Sequence, residues 1–201
     1  MMRQVYSLRK LSGGRCQVVL DDGTSFPLYV KETEQFGIRE ESFLEEAALR
    51  QILGELLPRR AKMCAMHYLQ KMDRTEYQLR RKLEGLSYPE EIIDDAVSYV
   101  KGYHYIDDVR YALHYMDARK DSKSIRLMEQ ELAGKGISKE DIEKAAQQIE
   151  FPDEEGQIRY WLEKKHYRGG EADQKERERM YRFLLRKGYS AASIRNAILY
   201  E

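Results

Sequence analysis

The stretch from Tyr103 to Met116, "YHYIDDVRYALHYM", sets two of the chain's four histidines beside a pair of adjacent aspartates. His104, Asp107 and Asp108 stand three and four residues apart, a spacing that could bind a metal or pass a proton if one continuous helix carried all three. Gly102 and the aromatic run after it break the chain just before them. At a helix start, an aspartate accepts hydrogen bonds from the free amides of the first turn, and a second carboxylate in that turn meets the dipole favourably. The pair is therefore expected to open a helix; a metal-dependent hydrolase using His104, Asp107 and Asp108 is the competing reading.

The other reactive side chains gather into no known constellation. Cys16 and Cys64 lack metal-ligand spacing and read as reduced thiols, and His166 sits among cations in "KKHYR". There is no phosphate-binding glycine loop, nucleophile elbow or zinc pattern, and Gly169-Gly170 reads as a helix terminator. A protein with no catalytic residues, no metal and no cofactor is expected.

Charge is the remaining source of function. With 35 Lys and Arg against 35 Asp and Glu the chain is neutral overall, so a basic surface has to be local. Lys164 to Lys187 holds nine basic and four acidic residues, and Arg74 to Lys82 four against one. The candidate binding residues are Arg74, Arg80, Arg81, Lys82, Lys123, Arg126, Lys164, Lys165, Arg168, Lys175, Arg179, Arg182, Arg186 and Lys187. With Tyr160, Trp161 and Tyr167 nearby, the later stretch could contact phosphates and stack on bases. The alternative is a solvated helix face with i,i+4 pairs such as Glu178 with Arg182.

The elements that carry these residues are mostly helical. "QVYSLRKL", "RCQVVL" and "SFPLYV", parted by Gly13-Gly14 and Asp22-Gly23, predict a small antiparallel meander over residues 1 to about 30. From Ser42, with Glu45 as its capping-box partner, the apolar period predicts a helix that stops at Pro58. Beyond Pro58 the sequence repeats: "AMHYL" at 65–69 returns as "ALHYM" at 112–116 and faintly as "QIRYW" at 157–161. "LEGLSYPEEIIDDA" from Leu83, "LAGKGISKEDIEKA" from Leu132 and "LRKGYSAASIRNA" from Leu185 align as well, matching Gly136 with Gly188 and Ser138 with Ser190. His67 and His114 fall at equivalent places, taken by Arg159 in the third unit, as face residues and not catalytic groups would.

Each unit parses into three helices. In the first, a capping box of Asp73 with Glu76 opens the middle helix, and Pro89 opens the third, which ends at Gly102. The second unit's helices open near Asp107 or Asp108, near Ser122 or Ser124, and at Ser138; the third unit's near Asp153, near Glu171 to Asp173, and at Ser190. A unit this short buries only one face, so neighbours pack to complete a core, and an elongated, curved array is expected. The fold class is mainly α, three tandem three-helix repeats after a small β-rich N-terminal extension. The divisions fall at 1–57, 58–106, 107–152 and 153–201. No segment approaches the roughly 20 apolar residues that span a bilayer, so no membrane contact is expected.

Three stretches carry a family resemblance. "YIDDVRYA", Tyr105 to Ala112, resembles a hydrophobic-Asp-Asp-x-x-aromatic-Ala signature, here Asp107, Asp108, Tyr111 and Ala112. "IRLMEQELAGKGIS", Ile125 to Ser138, and "FLLRKGYSAASIRNAI", Phe183 to Ile198, resemble two further motifs that hold Gly136 and Gly188. In this order they are similar to the RecX family, bacterial regulatory proteins that modulate the RecA recombinase. The chain departs at His104, where a glycine is usual, and at Asp121-Ser122, where Gly-Pro is common.

The resemblance implies a non-enzymatic, cytoplasmic regulator in DNA repair, homologous recombination and the SOS response, expected as a monomer. It implies binding in the groove of a RecA filament on single-stranded DNA, with weak backbone contacts to the DNA. It also implies inhibition, in the main, of recombinase, ATPase and co-protease activities. A helical-repeat adaptor without DNA contact is the other reading.

Overall fold

A computed structural model describes residues 2–200, which form two compact units, one ending at Asp107 and one beginning at Asp108. The first opens with strands β1 (Arg3–Leu11), β2 (Arg15–Leu20) and β3 (Ser25–Tyr29), the predicted antiparallel meander. Gly13 and Gly14, at φ 72 and 70, turn β1 into β2, a conformation only glycine adopts without strain. A short helix α1 (Val30–Gln35) and a two-residue strand β4 (Phe43–Leu44) follow, and β4 pairs with β1, giving the order β3-β2-β1-β4.

Helix α2 (Glu46–Gln51) does not begin at Ser42 as expected. Leu44 is more useful as a buried strand residue against Arg3 than on a helix, and Ser42 bonds the Arg39 backbone instead. Nor does the helix stop at Pro58. A π-helical turn over Ile52–Leu56 carries α2 directly into α3 (Leu57–Leu69), with Leu57 N–H reaching the Ile52 carbonyl five residues back. The wide turn shifts the hydrogen-bond ladder at the point where proline can neither donate nor fit under the preceding turn's carbonyl.

Helices α4 (Glu76–Glu84) and α5 (Glu90–Gly102) complete the first triplet. The cap of α4 is Thr75 with Gln78, not Asp73 with Glu76: Thr75 Oγ1 accepts from Gln78 N–H at 3.2 Å and the Gln78 side chain returns to Thr75 N–H at 3.3 Å. Glu76 instead holds Arg80 and Lys101. One core joins sheet and triplet, from Val5, Val18 and Phe26 through Ile52, Ala61 and Ala65 to Leu79, Leu83, Ala96 and Val100. An Arg60–Glu32 ion pair, with the guanidinium 4.8 Å over the Tyr29 ring, closes the same contact on the outside.

The second unit holds two triplets: α6 (Asp108–Asp117), α7 (Ile125–Ala133) and α8 (Lys139–Ala146), then α9 (Glu154–Lys164), α10 (Gln174–Arg186) and α11 (Ala191–Tyr200). The predicted starts hold. Ser124, Ser138, Asp153 and Asp173 each accept a backbone N–H three residues on, and Ser190 does the same for Ser193. Each triplet encloses its own apolar cluster, one around Met116, Met128 and Leu132, the other around Ile158, Leu162, Leu184 and Tyr189.

The repeat is written most clearly where each middle helix ends. Tyr88, Ile137 and Tyr189 are buried, and each donates its N–H to the carbonyl of Leu83, Leu132 or Leu184, five residues back, at 3.3, 3.3 and 3.4 Å. This is the Schellman closure, which needs a left-handed residue just before the donor. Ser87, Gly136 and Gly188 fill that place, at φ 66, 81 and 88. The same closure ends α5 at His104, φ 57, whose successor Tyr105 donates to Val100.

Candidate nucleic-acid and partner interface

The punctuation of "YHYIDDVRYALHYM" follows from that closure. His104 is the left-handed stop of α5, and α6 starts at Asp108, which puts Asp107 at its N-cap position and Asp108 in its first turn. His67 and His114 lie exposed on α3 and α6. Among the described residues no group of three or more His, Cys, Asp and Glu side chains is placed to hold a metal ion. Ala112 is fully buried and Tyr111 packs beside it, so the signature there specifies packing.

The basic candidates divide between the two units. In the first, Arg80 bonds Glu76 at 2.9 Å and Asp94 at 2.6 Å, and Arg81 bonds Glu84 at 3.1 Å. Arg74 lies 4.9 Å over the Tyr68 ring with its Nε buried, and Lys82 is exposed.

In the second unit the chain builds a lysine surface on aromatic rings. Trp161 is buried between Tyr160 and Phe183, edge-on to both at centroid distances of 5.5 and 5.2 Å. Its indole N–H donates to the Ser122 carbonyl at 3.1 Å, while Gln157, one turn earlier, bonds the Lys120 carbonyl. These two bonds dock α9 on the loop between α6 and α7. Lys187 Nζ sits 4.1 Å over the indole, Lys164 lies 5.2 Å from the Tyr160 and Trp161 rings, and Lys165 lies 5.3 Å from Phe183. Burial, then repulsion from Lys123, Lys164 and Lys165, pushes the Lys187 ammonium below the usual lysine range. Ring faces supply a seat for a cation without cancelling its charge.

Lys123 continues this surface. Its ammonium bonds Glu131 at 2.5 Å, and Glu131 also accepts from the Tyr115 hydroxyl. Burial works against the Glu131 charge, but the bonds from Lys123 and Tyr115 outweigh it and lower that carboxyl. Arg119 lies 4.0 Å over the Tyr115 ring, and Lys135 stands 5.8 Å from it. Neither was among the sequence candidates. Arg119, one turn after Tyr115, was open to an i,i+4 reading, whereas Lys135 reaches the ring only through the packing of α6 on α7.

Not all candidates join. Arg179 and Arg186 flank Lys165 and Phe183 around a cavity of about 300 Å³ on α10, so they extend the surface. Arg168 pairs with Glu171 at 3.7 Å, Arg182 with Glu178 at 2.8 Å, and Lys175 is exposed. Arg126 faces a separate cavity of about 260 Å³ with Glu154 and Gly188. The expected base-stacking platform is corrected: Trp161 and Tyr167 are core residues, 8% and 5% exposed, and only Tyr160, at 42%, presents a ring to solvent. Docking α9 through its indole consumed the ring that the sequence offered for stacking.

Comparison with known proteins bears on both units. Family models described as "RecX, first three-helix domain" and "RecX, third three-helix domain" match residues 61–99 and 153–198. The chain is 28% identical over 185 residues to the regulatory protein RecX of Clostridium perfringens (strain 13 / Type A), covering 90% of this chain and 87% of that one. To the regulatory protein RecX of Clostridium botulinum (strain Alaska E43 / Type E3) it is 26% identical over 194 residues, covering 95% and 92%. A crystal structure of a regulatory protein RecX shares the fold with a TM-score of 0.59 at 22% identity over 97% of this chain and 98% of that one. The RecX structure from Lactobacillus salivarius gives 0.57 at 22% identity, over 71% and 94%.

Proposed function

The chain belongs to the RecX family of regulatory proteins, and from that premise we propose that it binds RecA filaments on single-stranded DNA and restrains their activities. The observation that carries the DNA side of this reading is the lysine surface of the second unit. Lys164, Lys165 and Lys187 sit on rings, with no described carboxylate at ion-pair distance, next to Lys123, Arg179 and Arg186. An ammonium held this way is available to a phosphate oxygen, and displaced counterions make such binding strongly salt-dependent.

Because Trp161 is buried under Lys187, the contacts are to the sugar–phosphate backbone, with Tyr160 as the one neighbouring exposed ring among the described residues. Such contacts position a protein on a strand without reading its sequence. The partner's specificity then comes from protein surfaces, which suits a regulator that acts wherever a filament has formed. The ion-paired arginines of the first unit, Arg80 and Arg81, contribute little to phosphate binding.

The test is to titrate the protein into RecA assembled on single-stranded DNA and follow ATP hydrolysis and strand exchange. Inhibition is expected at micromolar protein, weakening as salt rises. Unchanged hydrolysis and strand exchange throughout would overturn the reading.

A further inference from the structure

Helix α10 has a second flank. With 100° between successive residues, Tyr181 points about 160° away from Phe183, so the lysine surface and the Tyr181 side are nearly opposite. On the Tyr181 side, α10 and α11 leave an open groove of about 450 Å³. Its floor is Tyr181, half-buried against the third triplet's core, and the buried Ile198. Its walls are the aliphatic stems of Arg177, Arg182 and Arg195, with Glu178 as the one carboxylate among the described residues that line it.

The charges of this groove are only partly answered. Glu178 is taken by Arg182 at 2.8 Å on an exposed face, where such a pair is weak and readily exchanged. Arg177 donates to the Gly169 carbonyl at 3.1 Å and retains its charge, and no described carboxylate lies at ion-pair distance from Arg177 or Arg195. Three guanidiniums around an apolar floor complement a ligand that is apolar in the middle and anionic at the edges. Guanidinium forks suit carboxylates in particular, since they bind them through two parallel hydrogen bonds.

We propose that this groove receives an acidic amphipathic helix from a protein partner. Aliphatic residues at i, i+3 or i+4, and i+7 lie on Tyr181 and Ile198, and flanking Asp and Glu meet Arg177, Arg182 and Arg195. The site stands apart from the phosphate-binding surface, so protein and DNA can be held together on opposite flanks of one helix.

The test is selection of random 12-residue peptides displayed on phage against the full chain, with the enriched peptides then synthesised and titrated by fluorescence anisotropy. Enriched sequences are expected to carry three or more carboxylates around aliphatic residues at helical spacing. Their affinity is expected to fall at least tenfold for Arg195→Glu and only about threefold for Arg195→Lys. Arg195 is exposed, so both variants are expected to melt as the parent does. A fluorescein-labelled thymidine oligomer should leave peptide binding unchanged and should itself bind Arg195→Glu normally. No enrichment, enrichment without acidic bias, equal binding to Arg195→Glu, or displacement by the oligomer each overturns the groove. The oligomer's own binding to the parent reports separately on the phosphate surface.

Discussion

The two basic stretches, Arg74 to Lys82 in the first unit and Lys164 to Lys187 in the second, look alike as strings of letters and differ in what holds their charges. In the first, Glu76, Glu84 and Asp94 hold Arg80 and Arg81 at 2.6 to 3.1 Å, Lys101 of α5 shares Glu76, and of its described residues only Arg74 lies over a ring, that of Tyr68. In the second, Tyr160, Trp161 and Phe183 lie beneath Lys164, Lys165 and Lys187 at 4.1 to 5.3 Å. A carboxylate neutralises the cation it positions. An aromatic ring positions it and leaves its charge for an anion. Basic residue counts alone therefore do not rank the two stretches: Arg80 and Arg81 are neutralised in the first and Arg168 and Arg182 in the second, whereas Lys164, Lys165 and Lys187 keep their charge.

The strongest way to break this contrast is to reverse charges on both sides. Lys164→Glu with Lys187→Glu is expected to weaken binding of a fluorescein-labelled thymidine oligomer about a hundredfold, roughly 2.7 kcal/mol, and to flatten its salt dependence. Arg80→Glu with Arg81→Glu is expected to change it less than threefold. Anisotropy titrations at several salt concentrations read both. Equal losses from the two pairs would mean that the rings make no difference.

A backbone position brings Lys187 to this surface. Lys187 C=O accepts from Ser124 N–H at 3.1 Å, and a Cβ on Gly188 would lie 2.2 Å from Ser124 Oγ and 2.6 Å from Leu127 Cβ. Gly188 thus serves a left-handed stop and a close approach to α7 together, whereas Ser87 performs the same stop in the first unit with a side chain. Gly188→Ala is expected to cost about 2 kcal/mol from left-handed strain and overpacking, and to lift Lys187 off its seat. Ser87→Gly is expected to add up to about 1 kcal/mol. Denaturant melts of the full chain measure both, and equal, opposite-sign effects would remove the packing part of the argument.

These positions also mark how far the sequence could be read. Ser124, Ser138, Asp153, Asp173 and Ser190 were legible because a cap acts within four residues, and the repeat was legible because three loops close the same way. Where longer-range packing outweighs a local pattern, the reading failed. Leu44 was taken into a strand by Arg3, and Pro58 was admitted to a helix by the π-helical turn before it. At the candidate surface the sequence supplied the lysines but not their supports. That Trp161 is buried under Lys187, and that Arg119 and Lys135 stand over Tyr115, depends on how α6, α7, α9 and α10 pack.

A smaller effect separates a lysine on a ring from an ordinary one. The charged form of Lys187 is disfavoured by burial and by its lysine neighbours, so its pKa lies below 10.5 in the folded chain. The unfolded chain then binds more protons in that window, and stability from this group rises with pH there. Oligomer binding moves the other way, because a phosphate favours the ammonium that alkali removes. As pH rises towards 10.5 the parent is expected to lose affinity that Lys187→Arg, whose guanidinium stays charged, keeps. Parallel pH profiles for the two proteins would show that Lys187 does not face the strand.

The carboxylate side of the contrast gives the smallest effect, and its sign is opposite. Burial raises the Glu76 carboxyl, but hydrogen bonds from Lys101 and Arg80 lower it further, so its pKa lies below 4.5 in the folded state. A carboxylate with a depressed pKa stabilises the fold above its unfolded value and loses that contribution as pH falls through the folded one. The Glu76 side chain is a quarter exposed and its partner Lys101 more than half exposed, so screening limits the whole gain to about 0.5 kcal/mol. Glu76→Gln is expected to lower stability by that amount at pH 7 and to match the parent once the pH is low enough to protonate Glu76 in the folded chain, while Arg80 and Lys101 gain charge for an anion. If the first unit's cations are silent because Glu76 neutralises them, thymidine-oligomer affinity rises slightly in Glu76→Gln; if it stays flat, their position and not their pairing keeps them from the strand.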